Sequence, residues 1–160
     1  MTYLEKQSNP LDPVHFRGNL QADYLYTSGA AGDKFFKHIM ENDSFLASEC
    51  EECGTVFCPP RLYCEDCFVE IPDEKWKEVP AKGTVRLFTT AMLNTFGEPL
   101  EVPKIIGLID IEGTDSSMLG ILKTKDQKQD LTGITVEAVF RPTQEREGTL
   151  KDILYFNESG

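Results

Sequence analysis

The chain has 160 residues, 40% of them hydrophobic, with 27 acids against 16 bases and a formal net charge of −11. That size suits one compact domain or two small ones. The charge argues against a nucleic-acid binder, because phosphate contacts need a basic surface. The longest apolar runs, such as IIGLIDI, are strand-length and carry an Asp, so no membrane span is expected. The N-terminus MTYLEKQSNPLDP has neither an apolar core nor a cleavage pattern. A cytoplasmic protein is therefore expected.

Residues 1–27 read as irregular, broken by Pro10 and Pro13. GAAGDKFFKHIMEND then reads as a helix with Phe35, Phe36, Ile39 and Met40 on one face. Ser28 is placed to cap it and Asp33 suits its first turn. His38, next to Lys37, reads as exposed rather than catalytic. FLASEC leads as a strand into the cysteine region.

All five cysteines fall in ECEECGTVFCPPRLYCEDC. Cys50/Cys53 and Cys64/Cys67 form two Cys-x-x-Cys pairs, and ten residues lie between them. A Cys-x-x-Cys turn brings two thiolates to one ion, and two such turns complete the tetrahedron of structural zinc. Gly54 follows the first pair, where a knuckle needs a positive φ. The intervening TVFCPPRLY reads as a short hairpin. Disulfides suit neither a cytoplasmic chain nor an odd cysteine count. A thioredoxin-like site needs one pair opening a helix. A rubredoxin-like iron site shares the spacing and stays open. Four thiolates close the coordination shell, so the metal is read as structural. Cys58 lies off the knuckle spacing and reads as a packing residue. From Glu41 to Pro80 there are eleven acids and three bases, Arg61, Lys75 and Lys77. That reads as a solvated surface or as a face for a basic partner.

After the second pair, Pro72 and Pro80 keep the chain extended, and Trp76 reads as the residue packing the two halves together. Strands are expected over 83–93, 102–113, 117–123, 134–142 and 152–156, with Gly107 and Gly120 marking bends. The polar KTKDQKQDLTG reads as a loop. Five strands without a long helix suit a barrel of the OB type. The expected fold is thus mainly β with an N-terminal helix. An N-terminal irregular segment and helix (1–43) precede a rubredoxin-like zinc ribbon (44–71) and a five-stranded OB-fold barrel (72–160). With only two histidines, His15 and His38, no catalytic triad, phosphate loop or dinucleotide fingerprint is visible.

The order YTSGAAGDKFFKHI, CEECGTVFCPPRLYCEDC, WKEVPAKGTVRLFTT, EVPKIIGLIDIEG, MLGIL, ITVEAVFRP resembles a two-domain zinc-ribbon/OB-fold family, long labelled a domain of unknown function. The resemblance runs from about Tyr24 onward. It implies a non-catalytic, acyl-CoA-binding scaffold associated with thiolases, hydroxymethylglutaryl-CoA synthase and related CoA-thioester enzymes. It implies Cys50, Cys53, Cys64 and Cys67 as zinc ligands. A groove for the CoA arm would then draw on Phe35, Phe36 and Ile39, with Arg61 and Lys104 for the phosphates. Two other readings stay open. One is an OB-fold nucleic-acid binder using Phe88, Phe96 and Lys123, Lys125 and Lys128. The other is a rubredoxin-like electron carrier.

Overall fold

A computed structural model describes residues 26–94, 96–124 and 130–159. Most of the N-terminal segment, with His15 and Tyr24, lies outside the described residues, as do Lys125 and Lys128. The chain runs through helix α1 (Gly29–Glu41), β1 (Ser44–Glu49), β2 (Val56–Phe57), β3 (Trp76–Pro80), β4 (Lys82–Leu93), β5 (Pro99–Ile111), β6 (Ser117–Lys123), β7 (Thr135–Phe140) and β8 (Ile153–Glu158).

Helix α1 forms where the apolar spacing demands it, and it buries Phe35 and Ile39. Its start differs from expectation. Ser28 makes no side-chain cap hydrogen bond, and Asp33 pairs with Lys37 one turn on, 2.8 Å away. β1 pairs antiparallel with β2 on one side and β3 on the other, making a three-stranded sheet. β3 follows the second knuckle yet hydrogen-bonds to β1 along Ser44–Ser48. The barrel begins at Lys82. It closes in the order β4-β5-β6-β8-β7, with β7 returning to β4. β6 and β8 pair in parallel, and the other ladders are antiparallel. That is the five-stranded Greek-key barrel of the OB type, as expected.

Gly107 and Gly120 face each other across β5 and β6. Each makes room for a core side chain: a Cβ would stand 2.6 Å from Leu122 at Gly107 and 2.5 Å from the Phe156 ring at Gly120. At both positions the missing side chain allows close packing.

One core unites helix, sheet and barrel. Phe45 of β1 sits 6.1 Å from the Phe35 ring, 6.0 Å from Phe140 and 6.5 Å from Phe156, centroid to centroid. Each such buried side chain contributes about 1.5–3 kcal/mol. A second, smaller core lies in the ribbon: Cys50, Phe57, Cys64 and Ile71, with Trp76 packed against it. Trp76 therefore belongs to the ribbon. Its indole N–H donates to Ile71 O at 3.4 Å, and Lys34 of α1 lies 4.7 Å over its ring. It joins ribbon to helix, not ribbon to barrel.

Two polar junctions fix the halves. The turn after β5 exchanges backbone and side-chain bonds with β2: Val56 N–H donates to Asp115 Oδ2 at 2.9 Å, Asp115 N–H to Val56 O at 2.9 Å, and Cys58 N–H to Ser116 Oγ at 3.0 Å. At the other junction Arg146, with only 3% of its side chain exposed, reaches the carboxyl end of α1. It donates to Ile39 O at 2.9 Å and Asn42 O at 3.1 Å, pairs with Asp43, and lies over Phe140. A cation there satisfies carbonyls that the helix itself cannot.

Asp152 shapes the loop beside that clasp. It is fully buried and accepts from the N–H groups of Glu147, Gly148 and Thr149 at 2.7–3.1 Å. Burial alone would raise its pKa. The N–H groups of Thr149, Glu147 and Gly148, with Arg141 nearby, outweigh that and hold it below its ordinary value. A lowered folded pKa adds stability above the unfolded carboxylate pKa of about 3.9, lost as pH falls through the folded value. Asp152→Asn should cost about 2–3 kcal/mol at pH 7, because it places an amide against backbone donors. Urea melts at pH 7 and pH 3 check this: the gap between wild type and variant should shrink at the lower pH.

Candidate metal centre and apolar groove

The two knuckles are built alike, bond for bond. In the first, Gly54 N–H donates to Cys50 O at 2.8 Å and Cys50 N–H to Thr55 O at 2.9 Å. In the second, Phe68 N–H donates to Cys64 O at 3.0 Å and Cys64 N–H to Val69 O at 2.9 Å. Both turns need a left-handed residue at the same place, supplied by Gly54 at φ 74° and Phe68 at φ 57°. Glycine adopts that conformation freely, whereas a side chain there costs about 1–2 kcal/mol. Ser48 pins the connecting hairpin: its buried hydroxyl accepts from Arg61 N–H at 2.8 Å and donates to Arg61 O at 3.1 Å.

This construction brings the sulfurs of Cys50, Cys53, Cys64 and Cys67 within 4.8 Å of one another, as free thiols. Cys53 and Cys64 Sγ stand 3.6 Å apart. A zinc–sulfur bond of about 2.3 Å gives a tetrahedral edge of about 3.8 Å, so the donor set fits zinc in size and chemistry. Thr55, at 3.1 Å, lowers the Cys53 thiol to about 6, while neighbouring Cys53 pushes Cys67 up to about 12. Bound zinc would cross-link the two knuckles through all four thiolates and leave no position for substrate. Cys58 is separate. It is 3% exposed in the main core, and burial pushes its thiol up to about 12.

The side chains named for the CoA arm lie in different settings. Phe35 and Ile39 are 1% and 0% exposed, hence core. Phe36 is half-buried, edge-on to Phe35. Arg61 pairs with Glu65 and covers the Phe57 ring. Lys104 is exposed on β5, on the same face as Ile106 and Leu108.

That face borders a feature the sequence reading missed. A groove of about 690 Å³ runs over the outside of β5, β6 and β8, from Pro59 of the ribbon to Tyr155, and none of the five residues lines it. Leu108 pairs with Leu119 and Ile106 with Ile121, giving two apolar rows across the strands. The volume lies in the ordinary range of small-molecule sites. A signal was present: IIGLIDI and MLGIL are apolar at nearly every position, not at alternate ones, so both faces needed cover.

A serine–histidine contact also exists. His38 is half-buried, not exposed, with Nε2 2.9 Å from Ser44 Oγ. The Asn42 amide donates to His38 O at 3.1 Å, which aims the same NH2 at Nδ1, 3.5 Å away. The trio ties the end of α1 to β1. Phe88, named for stacking bases, packs against the core, while Phe96 is 88% exposed. No helix among the described residues is long and apolar enough to cross a membrane.

Replacing Cys64 with Ser should lower bound zinc from about one per chain to about none. It should also strip hydrogen-exchange protection from 44–80 while sparing the barrel. Cys58→Ser should keep the metal. Elemental analysis with exchange mass spectrometry reads both.

Residues 43–73 match the family described as ChsH2, rubredoxin-like zinc ribbon domain. The chain is 26% identical over 112 residues to a DUF35 domain-containing scaffold protein of Methanocaldococcus jannaschii, covering 69% of this chain and 77% of that one. It is 25% identical over 112 residues to one of Methanothermobacter thermautotrophicus, covering 69% and 81%. A crystal structure of a DUF35-family protein of unknown function from Sulfolobus solfataricus superposes with a TM-score of 0.56 at 26% identity, covering 69% of this chain and 78% of that one. The Ltp2–ChsH2(DUF35) aldolase gives a TM-score of 0.55 at 16% identity, over 78% and 91%, a likeness of fold. Residues 43–73 are thus similar to the ChsH2, rubredoxin-like zinc ribbon family, in a chain similar over about two thirds of its length to DUF35 scaffold proteins.

Proposed function

We propose that this chain is a non-catalytic scaffold that holds an acyl-CoA thioester and docks on a thiolase-type enzyme. The observation that carries the ligand half is the apolar groove between ribbon and barrel. A pantetheine arm is long, thin and mixed in polarity, and a groove with few polar groups suits it. Lys104 continues the Ile106–Leu108 row, and Lys123 lies 4.5 Å over the Tyr155 ring at the groove wall. These two bases are the candidates for the CoA phosphates. Phe35 and Ile39 are core residues, and Arg61 is engaged by Glu65.

The scaffold half draws on the relatives that carry that name and on the aldolase complex that shares the fold. It also draws on the chemistry of the site. The four thiols are a closed set, and the buried charges Asp152 and Arg146 are consumed by loop and helix. At the groove the Ser117 hydroxyl donates to Asp110 Oδ1 at 2.6 Å, and Asp110 is in turn paired with Arg86.

Calorimetric titration with acetoacetyl-CoA tests the ligand half. Saturable binding is expected, and Leu119→Asp should weaken it at least about tenfold by putting a charge in the apolar rows. Leu119 is 71% exposed, so the variant should melt as the wild type does. Absence of binding by the chain alone and together with the thiolase-type enzyme would contradict the proposal.

A further inference from the structure

The two knuckles share their hydrogen bonds but differ at one position. The first places Gly54 where the chain turns left-handed, and a Cβ there would meet nothing within 4 Å. The second places Phe68 at the same point, in a conformation that disfavours any side chain. The ring gains nothing inside the fold, since Phe68 is 83% exposed. Folding alone would favour glycine at both positions.

Phe68 is not isolated. Tyr63, 58% exposed, bridges to Glu70 across the loop, and Leu62, 37% exposed, precedes it. Exposed Glu65, Asp66 and Glu70 flank the ring in sequence. Glu65 is paired with Arg61, so Asp66 and Glu70 leave the aromatic tip with a net acidic border. Aromatic anchors ringed by polar groups are how a few residues come to dominate a protein interface.

We infer that Phe68 is the anchor by which the ribbon docks into an apolar, Lys/Arg-rimmed pocket of the partner enzyme. The inference rests on the scaffold reading and assigns the docking residue within it. Charge selects the occupant. A second copy would bring its own acidic border and a net charge of −11 against this one. A nucleic acid would meet the same repulsion. A basic-rimmed protein pocket is complementary, and its association should weaken as salt rises.

The test co-expresses the chain with the thiolase-type enzyme of the same organism and measures affinity by biolayer interferometry at low and high salt. Wild type should bind in a salt-sensitive way. Phe68→Gly should bind at least about tenfold more weakly. It should keep its zinc and melt no lower than wild type, while Phe68→Trp should retain binding. A wild-type complex that Phe68→Gly leaves equally tight overturns the anchor and spares the scaffold. Loss of zinc, or a lower melting temperature, in Phe68→Gly makes the ring a structural shield and also overturns it. A wild-type dimer that Phe68→Gly dissociates overturns the assigned occupant. A wild-type chain that binds no such enzyme overturns the scaffold reading and the anchor together.

Discussion

The gathering of four thiols in the ribbon is the constraint on which the rest depends. The ribbon's own core is Cys50, Phe57, Cys64 and Ile71, with Cys67, Val69 and Trp76 packed against it, and two of the four buried residues are cysteines. So small a core cannot offset the chain entropy of two knuckles and a hairpin. A metal cross-link can, because its binding free energy is folding free energy. β1 leaves the end of α1, runs through the sheet and ends at Glu49, next to Cys50, so helix and knuckle are joined by one strand. β2 in turn grips the β5–β6 turn through Asp115 and Ser116. Pro59, held beside it, forms the ribbon end of the apolar groove.

The charges divide into two kinds with different work. Asp152 and Arg146 are buried and spent on the architecture, one shaping a loop and the other clasping the end of α1. The acids of the ribbon stay in solvent, paired at most with exposed partners such as Lys75 and Lys77. Exposed ion pairs of that kind add little stability. What they set is the field that a partner meets. The exposed apolar side chains follow the same logic. Leu119 and Ile121 line a groove, while Phe68 projects from a tip.

Much of this was legible in the sequence, for physical reasons. Cys-x-x-Cys spacing is short-range and nearly sufficient for the knuckles, and Gly54 marked its turn. Alternation located β4 and β7, and the lack of a long helix after residue 80 left a barrel as the fold. What the sequence could not convey was the exchange of partners in space. β3 lies beyond the second knuckle but completes the sheet of β1. Trp76 packs on the ribbon. Phe35 and Ile39 formed a helical apolar face that could equally be core or groove, and tertiary packing made it core. Lys104 was picked for a neighbouring proline, and its place beside Ile106 and Leu108 is a matter of strand pairing. Phe68 gave no signal by itself. Only its match to Gly54 in the other knuckle sets it apart, and that comparison needs the backbone.

X-ray absorption at the zinc edge, on protein purified without added metal, tests the central claim most directly. The account predicts zinc with four sulfur neighbours at about 2.3 Å and no light-atom neighbour. An iron edge in place of zinc, or zinc with an oxygen or nitrogen neighbour, would contradict a closed structural centre and with it the rigid ribbon on which groove and docking tip rest.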